Sequence, residues 1–402
     1  MSNTQKKNVP ELRFPGFEGE YSLDIFGNLA TNKSDKFNPQ NENASIDIEL
    51  DCIEQNTGRL IKIYNSKEFS SQKNKFNPQN VLYGKLRPYL NKYYFTKKSG
   101  VCSSEIWVLK STKEDKLLNL FLYYFIQTKR YSDVASKSAG SKMPRADWGL
   151  IENIRVYFPE LCEQQKIGEF FSKLDRQIEL EEQKLELLQQ QKKCYMQKIF
   201  SQELRFKDDN GNDYPEWEEK KLGELSQIVR GASPRPIKDP KWFNKESDIG
   251  WLRISDVTDQ NGKIYHLEQK LSIEGQEKTR VLLTTHLLLS IAASIGKPVM
   301  NFVKMGVHDG FLIFLNPKFN IFFMYYWLDY FKEKWSKYGQ PGSQVNLNSE
   351  IVKSQTLNMP SNHEQEKVGL FFSRNEKLIE LQQEKIMYLK RRKQALILKM
   401  FI

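Results

Sequence analysis

The segment PELCEQQKIGEFFSKLDRQIELEEQKLELLQQQKKCYMQKIF, from Pro159 to Phe200, occurs a second time as PSNHEQEKVGLFFSRNEKLIELQQEKIMYLKRRKQALILKMF, from Pro360 to Phe401. The two copies align without a gap at a spacing of 201 residues, and sixteen of their 42 positions are identical. The tetrapeptide ELRF also occurs twice, at Glu11–Phe14 and Glu203–Phe206. Repeats at a fixed spacing indicate a duplication. The predicted order is therefore globular domain, helix, globular domain, helix.

Both long copies carry apolar side chains in alternating steps of four and three residues, which is the heptad pattern of a coiled coil. Neither copy contains an internal proline, so each predicts a helix roughly 60 Å long. Polar residues interrupt the two patterns at equal positions, Glu181 with Gln382 and Lys192 with Lys393, and such residues often fix register. The apolar residues predicted to form the helix interface are Ile167, Phe171, Leu174, Ile178, Leu185, Leu188, Val368, Phe372, Ile379, Ile386 and Leu389.

Two matched helices of equal length favour pairing with each other. The intervening domain lets the second helix run antiparallel to the first, which gives an antiparallel coiled coil with a pseudo-two-fold axis. In this arrangement the amino-terminal ELRF segment packs beside the end of the second helix, near Phe401. The alternative is two unrelated amphipathic helices, each packed on its own domain.

The fold class predicted is mixed α/β, with two globular domains separated by the two helices. The boundaries are 1–158 for the first domain, 159–201 for the first helix, 202–359 for the second domain and 360–402 for the second helix. Apolar or alternating runs predict strands, and two aromatic-rich runs predict a buried helix late in each domain. The predicted strands are Val101–Leu109, Leu282–Ala292 and Phe311–Leu315, and the predicted helices are Leu117–Lys129 and Phe322–Lys332.

Composition restricts the class of protein. The 402 residues include 61 Lys and Arg against 50 Asp and Glu, a net charge of +11 that favours a polyanionic partner. No run approaches the ~18 apolar residues of a membrane span, so no membrane association is expected. The first residues carry no apolar signal core, and the four cysteines form no C-x-x-C pair. These features predict a protein of the reducing cytoplasm without disulfides or zinc.

No motif for catalysis is apparent in the sequence. The four histidines are scattered, and neither a nucleotide-binding glycine loop nor a nucleophile elbow occurs. The tripeptide His308-Asp309-Gly310 is interpreted as a structural turn. The sequence therefore predicts a binding protein or scaffold without catalytic residues, metal ligands or a bound cofactor.

Positive charge is concentrated in the globular domains. The helices contribute +3 (7 − 8 for 160–200 and 9 − 5 for 360–402), so +8 of the +11 remains elsewhere. Much of this charge lies in turn-like segments rich in glycine and proline, where Lys, Arg or Gln can reach phosphates and base edges. The candidate DNA contacts are Lys85, Arg87, Lys142 and Arg145 in the first domain, and Arg230, Arg235, Lys238, Arg253, Lys297 and Gln344 in the second.

The whole chain resembles the DNA-specificity subunits of type I restriction-modification systems. The resemblance rests on the E-Q-x-K-[IV]-G-x-F-F-S starts at Glu163 and Glu364, on the ELRFPGF stretch from Glu11, on RGASPRP from Arg230 and on SIAASIGK from Ser290. It implies that each globular domain is a target-recognition domain that reads one half-site, while the helices act as a ruler that sets the gap. The first domain has KSDK from Lys33 where the second has the Gly-Ala-Ser-Pro run, which favours different half-sites.

The resemblance also implies partners. The partners would be double-stranded DNA, two adenine methyltransferase subunits that carry S-adenosylmethionine, and restriction subunits that act as motor and nuclease with ATP and Mg²⁺. This chain would recognise the target sequence, and the other subunits would catalyse the reactions. Two other interpretations remain open from the residues alone: a coiled-coil scaffold joining two domains that bind ligands other than DNA, and an enzyme of unrecognised type.

Overall fold

The computed structural model describes residues 8–44, 46–66, 71–137, 142–292, 295–338 and 347–402. The chain divides into two compact units. The first unit comprises Met1–Gln183 and Gln383–Ile402, and the second comprises Lys184–Gln382. Each unit therefore contains a globular domain and one half of each long helix.

In the first unit the strands pair into small sheets. A four-stranded sheet has the order β2-β9-β6-β7, another has the order β3-β5-β8-β4, and β1 pairs with β10. The strands are β1 (Ser22–Ile25), β2 (Ala30–Thr31), β3 (Lys36–Phe37), β4 (Asp47–Ile48), β5 (Lys73–Phe76), β6 (Val81–Gly84), β7 (Tyr93–Phe95), β8 (Gly100–Cys102), β9 (Ile106–Ser111) and β10 (Arg155–Phe158). The helices that begin in this unit are α1 (Phe26–Leu29), α2 (Asn119–Phe125), α3 (Lys129–Ala135), α4 (Trp148–Ile151) and α5 (Leu161–Phe200).

The second unit repeats this plan. Its sheets have the orders β12-β19-β16-β17-β14 and β13-β18-β15, and β11 pairs with β20. The strands are β11 (Glu218–Lys221), β12 (Gln227–Arg230), β13 (Gly250–Leu252), β14 (Lys263–Ile264), β15 (Arg280–Leu282), β16 (Leu287–Ser290), β17 (Pro298–Asn301), β18 (Met305–Val307), β19 (Phe311–Leu315) and β20 (Thr356–Met359). The helices are α6 (Leu222–Leu225), α7 (Ile254–Asp259), α8 (Ile273–Glu277), α9 (Ile321–Phe331), α10 (Ser349–Ser354) and α11 (Asn362–Met400).

The predicted mixed α/β class is confirmed, but two of the predicted strands are interrupted. The run 101–109 turns at Ser103, whose carbonyl accepts the Ile106 N–H at 2.9 Å. The run 282–292 turns because the Asn301 side chain accepts the His286 N–H at 2.8 Å and donates to the Thr284 carbonyl at 2.9 Å. The strand 311–315 matches β19, while the predicted helix 117–129 forms only as α2.

Within each unit the two long helices run antiparallel. In the first unit Phe171 lies 6.3 Å from Phe401 between ring centroids, and Asp175 forms an ion pair with Lys393 at 2.7 Å. In the second unit Phe200 stacks on Phe372 at 5.8 Å. As residue numbers increase along α5, the numbers of the contacting residues on α11 decrease, which is the pattern of antiparallel helices. Of the residues predicted at the interface, Leu185, Leu188 and Ile379 are half-buried, and the others are buried: Ile167, Phe171, Leu174, Ile178, Val368, Phe372, Ile386 and Leu389.

The ELRF segments fasten each globular domain to the helices. The first, here called the amino-terminal latch (Glu11–Phe14), donates the Leu12 N–H to the Lys399 carbonyl at 2.9 Å. Arg13 grips the buried Glu163 carboxylate through two hydrogen bonds of 2.9 and 2.7 Å. This confirms that the latch packs beside the end of α11. A cation held by two charge-assisted hydrogen bonds neutralises a carboxylate that has little access to water.

The second latch (Glu203–Phe206) repeats these contacts in the second unit. Its Leu204 N–H donates to the Lys198 carbonyl at 3.0 Å. Arg205 grips the buried Glu364 at 3.3 and 2.9 Å. The Phe206 ring meets Phe371 edge-on at 5.5 Å, as Phe14 meets Phe170 at 5.5 Å in the first unit. The duplication has therefore preserved a three-dimensional contact set as well as a sequence.

The rest of the repeated motif joins α5 to α2. The Gln164 side chain accepts the Leu118 N–H at 2.9 Å and donates to the Lys116 carbonyl at 2.6 Å. A Cβ at Gly168 would lie 2.6 Å from Leu120 Cγ, so this position needs a glycine. Ser172 shares a hydrogen bond of 3.1 Å with the Tyr124 hydroxyl. The polar and small residues of the motif thus contribute the contacts that hold the α2 region of the first globular domain on α5.

Candidate nucleic-acid interface

The basic loop of the second unit is organised around Asp309. This residue lies in the turn between β18 and β19, and its main-chain carbonyl accepts the Arg230 Nε–H at 2.6 Å. Its carboxylate accepts a hydrogen bond from Arg235 at 2.7 Å and one from the Ser233 hydroxyl at 2.9 Å. One acidic turn therefore holds two arginines that the sequence places five residues apart.

The electrostatics keep this carboxylate ionised. Although partial burial would raise the pKa of Asp309, the Ser233 hydroxyl, His308 and the two arginines hold it below its ordinary value. Although Asp309 acts in the opposite direction, burial and the same arginines lower the pKa of His308. Its Nδ1 lies 3.1 Å from the carboxylate but accepts the Gly310 N–H at 2.9 Å. Arg235, with 72% of its side chain exposed, is the cation that pairs with the Asp309 carboxylate.

Close backbone contact fixes the course of the loop. The Gly231 N–H donates to the Phe311 carbonyl at 2.9 Å, and the Ala232 N–H donates to the Val307 carbonyl at 3.0 Å. A Cβ at Gly231 would lie 2.2 Å from the His308 carbonyl oxygen. Only glycine allows the loop to approach the acidic turn this closely, which brings Arg235 within reach of Asp309.

Arg253 belongs to the same region. It lies at the rim of a depression of about 280 Å³, which His308 also lines. Asp256 accepts two hydrogen bonds from the guanidinium, at 3.2 and 2.8 Å. The remaining lining is partly aromatic and partly polar, and consists of Ile237, Phe243, Trp251, Ile254, Ser255 and Gln269. The structure thus brings Arg230, Arg235 and Arg253 together around His308.

The other candidates of the second unit lie in different surroundings. Lys238 is exposed and follows Arg235 in the same loop. Lys297 is half-buried and donates to the Val257 carbonyl at 3.3 Å, and burial together with the nearby Lys332 lowers its pKa. It therefore contacts α7 and not the acidic turn. Gln344 lies outside the described residues, as do Ala293 and Ser294 of the SIAASIGK stretch.

The first unit forms a comparable cluster from two segments. The Arg87 N–H donates to the Pro144 carbonyl at 2.7 Å, and the Ala146 N–H donates to the Lys85 carbonyl at 2.8 Å. These bonds place Lys85, Arg87 and Arg145 on adjoining backbone, and the exposed Lys142 lies just before them. Arg145 binds Glu105 at 2.9 and 3.1 Å, which holds the pKa of that carboxyl below its ordinary value.

The two clusters share one feature that sequence reasoning missed. Glu105 lies in the turn between β8 and β9, and Asp309 lies in the turn between β18 and β19. These turns correspond, because β8 pairs in parallel with β4 as β18 does with β13. Each domain therefore anchors an arginine on an acid of the same turn, although the arginines come from different segments. The only sequence signal was the tripeptide at His308, which forms the predicted turn but also binds the arginines.

The described parts of the chain contain no candidate for two other kinds of site, a metal centre and a membrane-spanning helix. Within them, no group of three or more His, Cys, Asp or Glu side chains is arranged to hold a metal ion. No described helix combines the length and apolarity that crossing a membrane requires. The arrangement suits binding: arginines beside aromatic and amide side chains can engage phosphates and base edges.

Comparison with known proteins identifies the family of the chain. The family model described as the type I restriction modification DNA specificity domain matches residues 20–190 and again 214–391. The chain is 26% identical over 310 residues to the type I restriction enzyme MjaVIII specificity subunit of Methanocaldococcus jannaschii, covering 72% of this chain and 71% of that protein.

Solved structures of low sequence identity share the fold. One is a chain from a structure of the assembly and conformational transition of the type I restriction-modification system, with a TM-score of 0.60 at 17% identity, covering 94% of this chain and 96% of that chain. Another is the S subunit of a type I restriction-modification system from M. genitalium. Its TM-score is 0.58 at 14% identity, and the match covers 98% of this chain and 99% of that chain. Both alignments span the two copies of the duplication in this chain. The chain therefore belongs to the type I restriction-modification DNA specificity family, carries two copies of its domain, and is a DNA-binding specificity subunit rather than an enzyme.

Proposed function

We propose that each unit reads one short half-site of a bipartite DNA target, and that the half-sites are separated by a gap whose sequence is not read. The observation that carries the proposal is that the two specificity domains share the same helices, latches and acidic turn but have different basic loops. Both domains anchor an arginine on the same acidic turn, but the arginines are Arg145 and Arg235 from unrelated segments. A shared scaffold with different loops suits two domains that recognise different DNA sequences.

The acid-anchored arginines suit base reading better than phosphate binding. An arginine can bind guanine through O6 and N7. An acidic partner holds the planar guanidinium in one orientation before DNA binds. A carboxylate beside a phosphate would be repelled, whereas at a base edge this repulsion is smaller. The exposed Arg87, Lys142 and Lys238 and the half-buried Lys85 have no such requirement and suit phosphates. Arg230, Arg253, Lys297 and Gln344 complete the proposed contact set.

Asp309→Asn tests this assignment. The variant is expected to lower discrimination between the target and a single-base mismatch by roughly tenfold, within the ~1–3 kcal/mol of a bidentate contact. Non-specific affinity is expected to rise, because one negative charge near the phosphates is lost. Competition binding with matched and mismatched duplexes at two salt concentrations measures both effects. The control Asp239→Asn removes an equal charge, from the acid that caps the turn at Lys241, and should leave discrimination intact. Retained discrimination in Asp309→Asn would remove Arg235 from the base contacts.

The helices are proposed to dock two methyltransferase subunits. Leu180 and Leu381 occupy equivalent positions and are 48% and 49% exposed, and Leu187 and Tyr388 are equivalent and 60% and 62% exposed. Because the division between units crosses both helices, each unit presents one member of each pair. Exposed apolar side chains at equal positions in both copies suit two identical partners.

The remaining chemistry is assigned to other subunits. The methyltransferase subunits would carry S-adenosylmethionine, and motor-nuclease subunits would use ATP and Mg²⁺. The assembly would act in the cytoplasm, where these cofactors and the DNA are present. This chain would recognise the target sequence and would provide the surface on which the other subunits dock.

Selection from a random duplex pool tests the proposed function. The chain is copurified with its cognate methyltransferase subunit, and bound duplexes are sequenced at a salt concentration that suppresses non-specific phosphate binding. A motif of two short half-sites around an unspecified gap is expected. Enrichment of one ungapped motif would mean that one unit alone reads bases. Absence of any enrichment from an intact complex would favour the scaffold interpretation.

A further inference from the structure

The lysines that interrupt the two heptad patterns are not isolated. Lys393 of α11 binds Asp175 of α5 at 2.7 Å in the first unit. Lys192 of α5 approaches Glu376 of α11 at 3.5 Å in the second unit. Lys192 and Lys393 are equivalent in the duplication, and so are Asp175 and Glu376. Each ion pair therefore connects the two helices at the same place in its copy.

A tyrosine from the globular domain completes each contact. The Tyr124 hydroxyl of α2 donates to Asp175 at 3.0 Å, and the Tyr326 hydroxyl of α9 donates to Glu376 at 2.7 Å. Lys393 also lies over the Tyr124 ring at 5.6 Å, as Lys192 lies over Tyr326 at 5.3 Å. We call Tyr124–Asp175–Lys393 the first triad and Tyr326–Glu376–Lys192 the second triad. Each triad joins three elements: a globular domain and both helices.

The triads are shielded from solvent, which affects what they can contribute. The lysine side chains are 11% and 16% exposed, and the carboxylates of Asp175 and Glu376 are 24% and 10% exposed. Although burial would raise the pKa of Glu376, Lys192 and Lys263 hold it below its ordinary value. A shielded ion pair adds little net stability compared with apolar residues of the same size, because desolvation offsets the attraction. Its best-attested role is to fix register, since a slip of the helices separates the lysine from the carboxylate. In the second unit Lys263 of β14 also binds Glu376, at 2.6 Å, so a slip there would leave Lys192 and not Glu376 unpaired.

The duplication supplies independent support. Only sixteen of the 42 positions in the repeated segment are identical, yet both copies retain a complete triad. The acid differs between the copies, Asp175 against Glu376, while the charge and both partners are kept. A role confined to filling space would also be met by apolar residues, which occupy most neighbouring heptad positions.

We propose that the two triads are positioning residues that set the length of the gap between the half-sites. In each triad one carboxylate contacts both a lysine of the other helix and a tyrosine of the globular domain. The register of the two helices is therefore coupled to the position of that recognition domain. The orientation of that domain on its helices, and therefore the place where its loops meet DNA, depends on this contact. The proposal rests on the proposed bipartite reading, which the duplex selection tests separately.

The test uses the full chain copurified with its methyltransferase subunit. In the first triad, Asp175→Leu and Lys393→Met are combined with Tyr124→Phe, so that no member of the triad keeps an unpaired charge; Gln127 and Ser172 each lose one hydrogen bond. Binding is measured to duplexes with both half-sites at the selected gap and at gaps one base pair shorter and longer, and to a duplex with one half-site. Thermal melting establishes that each variant is folded.

The triad variant is expected to keep its melting temperature and its affinity for the single half-site. Its preference for the selected gap is expected to fall by roughly 2- to 150-fold, the range of couplings within one network. A matched control combines Arg176→Met with Glu179→Leu, an exposed ion pair within α5, and should leave the preference unchanged. Tyr124→Phe alone, which keeps the ion pair, provides a milder variant and should show a smaller loss.

An unchanged gap preference in both the triad variant and Tyr124→Phe would overturn the proposal. The same result would follow if the preference and the single half-site affinity fell together, because the triad would then support folding of the recognition domain only. A wild-type complex without any gap preference would instead contradict the bipartite reading itself. The outcomes for the two proposals are therefore distinguishable.

Discussion

Replacing Arg13 with alanine is expected to lower the free energy of unfolding of the first unit by about 3–5 kcal/mol, the effect of removing one partner of a buried ion pair. Glu163 is 1% exposed, and Arg13 provides two of its hydrogen bonds. The remaining contact, from the Tyr21 hydroxyl, is 3.4 Å long and cannot replace a cation. The variant therefore leaves a carboxylate that is neither hydrated nor neutralised. Urea unfolding of the full chain, followed by circular dichroism, measures the change.

The second latch provides a repeat of this experiment within one molecule. Arg205→Ala removes the equivalent partner of Glu364, which is fully buried, and should destabilise the second unit by a similar amount. Arg176→Ala is the control, because its ion pair with Glu179 is exposed and should contribute at most ~1 kcal/mol. Removing residues 1–20 should reproduce the effect of Arg13→Ala. If that truncation left stability and assembly intact, the latch would have no structural importance.

The second large effect is expected for the exposed helix positions that the copies share. Leu180→Asp together with Tyr388→Asp alters the first unit alone, and Leu187→Asp together with Leu381→Asp alters the second alone. Covering a leucine at an interface is worth about 1.5–3 kcal/mol, and a buried unpaired charge adds a further penalty. Each pair of substitutions should therefore weaken one docking site by roughly 100-fold or more.

The stoichiometry of the complex reports this result directly. Native mass spectrometry should show two methyltransferase subunits per wild-type chain, one with either pair of substitutions, and none with all four. Leu398→Asp is the control, because Leu398 is 70% exposed but its counterpart in the first copy is Gln197. Two methyltransferase subunits retained by the fourfold variant would place the docking surface elsewhere on the chain.

The helices were predictable from the sequence because their determinants are local. Helical hydrogen bonds join residues four apart, so a run such as 161–200 displays its buried face as a period in the sequence. The duplication supplied the second copy, and two equal helices favoured antiparallel pairing. The short strands were less predictable, since the turns at Ser103 and Asn301 depend on side chains that act across the sheet.

The candidate site was predictable only in part. The arginines stand out because they lie in loops rich in glycine and proline, but their acidic partners do not. Glu105 and Arg145 are 40 residues apart, and Arg235 and Asp309 are 74 apart. No period or motif links such pairs, because the fold of the whole domain brings them together.

The sequence by itself thus determined the duplication, the two long helices, the mixed α/β class and the concentration of positive charge in the globular domains. The tertiary structure decided what the polar residues of the repeats do: Glu163 receives the latch, Asp175 joins a domain to both helices, and Asp309 orients arginines. The physical reason is that apolar periodicity follows from local backbone geometry. A buried charge instead requires a partner, and only the folded chain brings that partner within hydrogen-bonding distance.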